Sequence, residues 1–301
     1  MTDTLRVTSW KDFVGQDKLK ERLDVHIKAA RLNQRLLEHV LLVGPPGFGK
    51  TSLGVIIAKR LDKNLLEHTM PLDLRMMITI CRTFRGVLLL DEIHRGSTKE
   101  QESLLPLLEF GYIQDRRGNK YIANDSESIG ITIIGATTEP EKLIPPLYDR
   151  FSIRPDFDDY TPEEMGRIVI NMAQKAGVRL EPLTAESLGR ATGGIPRRAR
   201  QFVLAARDLE ALGKPNFAAD ILALCRIDED GLSFQHHQYL LALDRAGGVS
   251  GLKPLQNLLR LNETVVRELE RLLLKHQYIM YASTGRELTG DGYKKIKTLK
   301  P

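Results

Sequence analysis

Gly44-Pro45-Pro46-Gly47-Phe48-Gly49-Lys50-Thr51 is the stretch on which the rest of the chain turns. It fits G-x-x-x-x-G-K-[ST]: glycines let successive backbone N–H groups turn inward around phosphates, the lysine reaches the β/γ-phosphates, and the threonine hydroxyl ligates Mg²⁺. The apolar run His39–Val43 supplies a strand before it, and Thr51–Leu61 reads as the helix after it. That helix would aim its positive end at the phosphates. The implied ligands are ATP and Mg²⁺, held by Gly44, Pro45, Pro46, Gly47, Gly49, Lys50, Thr51 and Ser52.

Two further strand ends extend the same chemistry. Val87-Leu88-Leu89-Leu90 runs into Asp91-Glu92-Ile93-His94. An apolar strand ending in two carboxylates places them at the carboxyl edge of a sheet, where ligands bind. Asp91 is expected to share the metal with Thr51, and Glu92 to polarise an attacking water. Ile133-Ile134-Gly135-Ala136 ends in Thr137-Thr138, which puts Thr138 near the γ-phosphate if this strand neighbours the phosphate strand. Strand-like runs at His39–Val43, Gly86–Leu90 and Ile129–Gly135 alternate with helical patterns such as Lys18–Leu32. This predicts an α/β fold, a parallel sheet covered by helices on both faces.

Working outward, the 301 residues are enough for two or three domains. The chain is 42% hydrophobic and 28% charged, which excludes disordered and fibrous classes. No apolar run is long enough to span a bilayer, and Met1–Phe13 is polar, so no membrane partner is expected. Two cysteines, Cys81 and Cys225, exclude a disulfide framework and fit a cytoplasmic setting. The adjacent His236 and His237 point about 100° apart on a helix and have no third ligand near in sequence, which argues against a metal site.

The pattern divides the chain at 1–160, 161–230 and 231–301. Thr161-Pro162-Glu163-Glu164 is a helix start, and helices follow from Thr184 and Pro196. After the polar Asp228–Gly231 stretch come helices over His236–Arg245, Leu252–Leu259 and from Asn262 to about His276. Two strands, Tyr278–Ala282 and Arg286–Leu288, then close a helices-plus-hairpin pattern of the winged-helix kind. From Leu241 to Pro301 there are 11 Lys/Arg against 6 Asp/Glu, a balance of +5 that equals the charge of the whole chain. A basic end on a neutral body suggests an anionic partner, with nucleic acid foremost.

Together these words resemble the AAA+ ATPases and, more closely, the RuvB family of Holliday-junction branch-migration motors. The resemblance rests on Asp12-Phe-Val-Gly15-Gln16, the phosphate loop, Asp91-Glu-Ile-His-Arg95, Ile134-Gly-Ala-Thr-Thr138, Asp149-Arg150-Phe151, Tyr160-Thr-Pro-Glu-Glu164 and Gly194-Ile-Pro-Arg197. It implies an AAA+ domain, a small helical lid and a winged-helix DNA-binding head. It places Phe13 and Val14 beside the adenine, with Tyr160 closing that pocket. Thr138 becomes the γ-phosphate sensor, Arg150 an arginine finger inserted into a neighbouring subunit, and Arg197 the lid arginine. Lys50, Asp91, Glu92, Thr138, Arg150 and Arg197 are then the catalytic set. A finger acting in trans implies a homo-oligomeric ring, by family a hexamer, moving double-stranded or branched DNA.

Several positions depart from the family pattern. The hairpin Glu109–Ala123, which in the family grips the junction-binding partner RuvA through an apolar surface, carries the polar, basic turn Asp115-Arg116-Arg117-Gly118-Asn119-Lys120. That argues against a RuvA-like partner and for direct DNA contact. The segment between Leu65 and Arg85 is short, and Glu139 stands where the family has arginine. Of three wing arginines only Arg286 remains; Lys294, Lys295, Lys297 and Lys300 are the expected compensation. Arg267, Arg271 and Lys275 recur every four residues, a stripe expected opposite Val265, Leu269 and Leu272 and suited to sequence-independent phosphate contact. The rival readings are a clamp- or helicase-loader ATPase and a nucleotide-gated DNA-binding regulator.

Overall fold

The computed structural model describes residues 5–115, 117–124 and 129–299. Arg116 and Lys300, both named above, lie outside the described residues. The chain forms two compact units, residues 1–160 and 161–301.

The first unit runs α1 (Asp17–Leu32), β1 (Val40–Val43), α2 (Lys50–Leu61), β2 (Leu65–Thr69), α3 (Leu74–Thr83), β3 (Gly86–Asp91), α4 (Thr98–Phe110), β4 (Tyr112–Gln114), β5 (Lys120–Ile122), β6 (Ile131–Thr137) and α5 (Pro145–Asp149). Four strands form a sheet in the order β1-β6-β3-β2, all parallel. The segment after α5 adds parallel bridges, Val40 to Ile153 and Val43 to Asp156, on the outer side of β1. Alternate residues of each strand face opposite sides. On β3, Val87 and Leu89 pack with Leu23, Ile27, Leu53 and Ile57 of α1 and α2. Leu88 and Leu90 pack with Met77, Ile80, Leu104 and Leu107 of α3 and α4. Burial on both faces explains why these strands read as unbroken apolar runs.

Both β2 and α3 lie between Leu65 and Arg85, where the sequence predicts no element. β2 is an edge strand with one neighbour, and its residues are half-buried or, at Glu67 and Thr69, exposed, so it needs no apolar run. On α3 only Met77, Ile80 and Cys81 are buried, and Asp73 caps it by accepting from Met76 N.

The second unit begins with four helices, α6 (Pro162–Ala176), α7 (Pro182–Ala191), α8 (Pro196–Ala211) and α9 (Ala218–Cys225). The helix start expected at Thr161 is that of α6, where Thr161 and Glu164 make a capping box. Then come α10 (Phe234–Arg245), β7 (Val249–Ser250), α11 (Leu252–Leu259), α12 (Glu263–Lys275), β8 (Ile279–Ala282), β9 (Gly285–Leu288) and α13 (Gly290–Leu299). The strands form an antiparallel sheet, β7-β9-β8, over a core that includes Tyr239, Leu240, Leu243, Leu255, Val266, Leu269, Leu273, Ile279 and Leu288. This is a winged helix. The lysine-rich end is no bare tail: Lys294, Lys295 and Lys297 ride on α13, which buries Ile296. On α12 the buried stripe is Val266, Leu269, Glu270, Leu272 and Leu273; Val265, expected on that face, is only half-buried.

Candidate active site

The phosphate loop follows β1, the Asp-Glu pair ends β3, and Thr138 follows β6. Because β6 lies between β1 and β3, all three arrive at the carboxyl edge of adjacent parallel strands. That is the crevice where α/β sheets bind ligands. Gly47 and Gly49 hold φ of +84° and +93°, a backbone that L side chains avoid. A Cβ on Gly49 would also sit 3.1 Å from the Phe13 ring. Lys50 is buried, and its ammonium donates to Gly44 O at 2.7 Å and Pro45 O at 3.0 Å. A cation held inside the loop's own carbonyls is placed for an anion in that loop.

Thr51 Oγ1 donates to Asp91 Oδ2 at 3.1 Å, across the gap between α2 and β3. Two hard oxygen ligands side by side at a phosphate loop fit Mg²⁺, which takes one or two protein ligands and fills its shell with phosphate and water. The other Asp91 oxygen accepts from Glu92 N at 3.0 Å, and Glu92 has a left-handed backbone, φ +50°. Thr138 Oγ1 donates to Glu92 Oε2 at 3.2 Å. His94 Nδ1 lies 2.9 Å from Thr137 Oγ1 and 3.3 Å from Glu92 Oε2, while its Nε2 lies 3.1 Å from Glu139 Oε2. Lys142 bonds Glu139 at 2.6 Å and, with the nearby His94 and Arg95, holds its carboxyl below the usual range. No sequence motif gives Thr137 a role, and Glu139 stands out in the sequence only as a departure from the family pattern. The structure joins both to Glu92 through His94.

Around the mouth, Phe13 and Tyr160 are buried and Val14 and Ser52 half-buried. The Tyr160 hydroxyl donates to Phe48 O at 3.4 Å, and the two rings meet edge-on, 5.5 Å between centroids. Arg150 lies at the end of α5. Its Nε and Nη2 donate to Glu109 Oε2 at 2.9 and 2.5 Å, and its Nη1 to Pro146 O. Glu109 is at the end of α4, next to the hairpin strands, so no motif links it to Arg150. In the second unit Arg197 is exposed on the first turn of α8.

The expected DNA contacts fare differently. Arg286 is turned inward: it grips Glu270 through Nε at 2.7 Å and Nη2 at 3.3 Å, and only 12% of its side chain is exposed. Glu270 also accepts from Tyr239 OH at 2.9 Å and Tyr281 OH at 2.8 Å. Burial pushes its carboxyl up, but these bonds outweigh burial and hold it below the ordinary value. Lys295 is likewise internal, bonded to Asp230 at 2.5 Å and Asp228 at 2.9 Å. Both cations are already paired for one reason: acids distant in sequence reach them first. Lys275 donates to Gly193 O at 3.3 Å. Arg267 pairs with Glu263, Lys294 with Asp291, and all three of Arg267, Arg271 and Lys294 stay exposed.

The hairpin β4–β5 is built by Asp115. Its carboxylate accepts from Arg117 N, Asn119 N, Asn119 Nδ2 and Tyr121 OH, all within 3.1 Å. Those bonds, Asn119 foremost, lower it to about 2. Lys120 lies 4.4 Å from the centre of the Tyr112 ring. Below the polar tip, Phe110 stacks on Tyr112, and Phe110 and Ile122 are exposed. The polar tip therefore rises from an apolar base.

Comparison with known proteins fits these features. The Holliday junction DNA helicase RuvB P-loop domain matches residues 5–157, and the RuvB C-terminal winged helix domain matches residues 229–297. The Holliday junction branch migration complex subunit RuvB of Clostridium kluyveri is 32% identical, over 97% of this chain and 87% of its own. The solved Holliday junction branch migration motor RuvB of Thermotoga maritima has a TM-score of 0.83 at 30% identity, over 98% of this chain and 99% of that one. A mutant of the same motor gives 0.84 at 30% identity, over 99% of each chain. By loop, strand ends, winged helix and relatives alike, the chain belongs to the RuvB family.

Proposed function

We propose that the chain is an ATP-driven DNA motor of the RuvB type, hydrolysing ATP in a ring, by family a hexamer, to move duplex DNA and migrate branched junctions in the cytoplasm. The reading divides it into an ATPase domain (1–160), a helical lid (161–230) and a DNA-binding head (231–301). The observation that carries it is the convergence of Lys50, the Thr51–Asp91 pair and the Glu92–Thr138 pair on one sheet edge.

Lys50 binds the β/γ-phosphates; Thr51 and Asp91 would hold Mg²⁺, which when bound neutralises charge on the phosphate oxygens. Glu92 orients the attacking water. Thr138 has one hydroxyl proton, so it donates either to Glu92 or to a phosphate oxygen. Arrival of the γ-phosphate would therefore release Glu92 for its water. Phe13, Val14 and Tyr160 receive the base. Arg150 works from the neighbouring subunit, leaving Glu109 for the γ-phosphate, and Arg197 reports nucleotide state.

Arg267, Arg271 and Lys294 remain the head's candidates for phosphate contact. The exposed Phe110 and Ile122 beside Tyr112 support a protein partner at the hairpin base, of the RuvA kind, with Arg117 and Lys120 left for DNA at the tip. The closed wing favours one second reading, a loader or remodelling ATPase acting on a protein–DNA complex.

The test is steady-state ATP hydrolysis without DNA, with linear duplex and with a four-way junction. The motor predicts stimulation by DNA, greatest with the junction, and loss of turnover in Glu92→Gln. Turnover indifferent to every DNA but raised by a protein partner would favour the loader.

A further inference from the structure

Arg197 and Arg198 are neighbours on the first turn of α8, yet they face different surroundings. Arg197 is exposed. Arg198 is half-buried, and its Nη1 donates to Gly231 O at 2.7 Å. Gly231 ends the polar stretch that leads into the winged helix. Its φ is +79°, and a Cβ there would lie 2.4 Å from Ala191 O, at the end of α7, and 3.4 Å from Arg198 Nη1. Gly193, in the turn between α7 and α8, has φ +65°. A Cβ there would lie 2.7 Å from Leu272 of α12 and 3.6 Å from the same Nη1. One guanidinium thus borders both close approaches between the four-helix part and the winged helix.

Other bonds fasten the same stretch. Lys275 of α12 donates to Gly193 O. Asp228 takes His237 of α10 at 2.8 Å and Lys295 of α13 at 2.9 Å. Asp230 accepts from Tyr278 OH at 2.8 Å and from Lys295. Glycines often mark hinges because their backbone is permissive. Here both are wedged against neighbouring elements and serve close packing.

We propose that Arg198 is a positioning residue that locks the four-helix part to the winged helix, so that the two swing as one body when Arg197 answers to nucleotide. The lock rests on the DNA-motor reading for its purpose, but its geometry does not depend on it. Without it, movement started at the nucleotide would dissipate in the 228–231 stretch before reaching DNA.

The experiment uses the full chain with Cys81→Ala and Cys225→Ser, and spin labels on Glu210→Cys and Ser283→Cys, both exposed positions. Distance distributions are measured with ADP and with a non-hydrolysable ATP analogue, and ATP turnover and four-way-junction migration are followed in parallel. The expected distribution is narrow and the same in both nucleotide states. Arg198→Met broadens it and lowers junction migrated per ATP by about tenfold, within the usual span of coupling between sites, while hydrolysis persists. Arg198→Lys, which still donates to Gly231 O, recovers part of both. Gly231→Ala, which forces the approach apart, reproduces the broadening if Arg198→Met folds poorly. A distribution already broad in the parent chain, or one that shifts with nucleotide, overturns the lock. So does an Arg198→Met protein that stays narrow and loses migration only in proportion to turnover. A parent chain whose ATP turnover ignores every DNA, with Arg198→Met still broadening the distribution, supports the lock and overturns the motor reading instead.

Discussion

The phosphate-loop site and the wing both collect charged side chains that the sequence offers as functional, but they are built in opposite senses. At the sheet edge, Lys50, Thr51, Asp91, Glu92 and Thr138 meet one another and the loop's own carbonyls around a crevice. In the wing, Arg286 closes on Glu270, which also accepts from Tyr239 and Tyr281 inside the head. The first arrangement waits for an anion from outside; the second already has its anion. A cation's identity and spacing therefore say little about its partner unless the backbone that holds it is specified too.

Each half of that contrast can be broken by substitution. The largest effects belong to the nucleotide site. Arg150→Ala should lower ATP turnover by about 10³-fold or more, the range for a trans arginine, while nucleotide binding by fluorescence titration stays near that of the parent. Glu92→Gln should likewise bind ATP and fail to turn it over. A Glu92→Gln protein with near-normal turnover would remove the water-orienting role and leave the convergence unexplained.

Next is the wing network. Glu270→Ala strands a buried guanidinium beside two hydroxyls, and breaking a buried pair from one side costs about 3–5 kcal/mol. The denaturation midpoint of the second unit should fall accordingly. A midpoint close to the parent's would mean that Arg286 is free to reach DNA after all.

A smaller effect, shared by both units, follows pH. Burial pushes His39 down to about 4, and burial with the nearby Arg198 does the same to His236. Unfolded, each titrates near about 6.5. Between these values the unfolded chain binds more protons, so this contribution to stability is intact above about 6.5 and is lost as pH falls towards 4. Denaturation midpoints measured at pH 7 and pH 5 in His39→Gln and the parent should converge at the lower pH.

The smallest effect separates the two kinds of head cation. Arg271→Ala, at an exposed position, should flatten the salt dependence of DNA binding by about 0.9 in log–log slope if it meets one phosphate. Arg286→Lys should leave that slope unchanged.

Much of the first unit was legible because its signals are local. A strand buried on both faces must be an apolar run, and a phosphate loop must carry glycines where φ is positive, as at Gly47 and Gly49. The edge strand β2 was not legible, since one neighbour and half-burial relax the demand for apolar residues. Nor was the link from Glu92 through His94 to Glu139, or the Arg150–Glu109 pair, because these contacts join strand and helix ends distant in sequence. The head was the hardest to read. Its stripe of cations was visible, but the acids that claim Arg286 and Lys295 sit on other elements. Glu270 in particular lies on the same helix as the stripe and reads there as a surface acid, though it is fully buried.

The most direct measurement mixes two inactive proteins. Lys50→Ala keeps Arg150 but lacks the phosphate-binding lysine; Arg150→Ala keeps the site but lacks the finger. If the finger acts from a neighbour, mixed rings pair an intact site with an intact finger, and ATP turnover returns on mixing, rising to a maximum at intermediate ratios. If mixed rings assemble and turnover stays at the level of either protein alone, Arg150 does not complete a neighbour's site, and the trans mechanism is wrong.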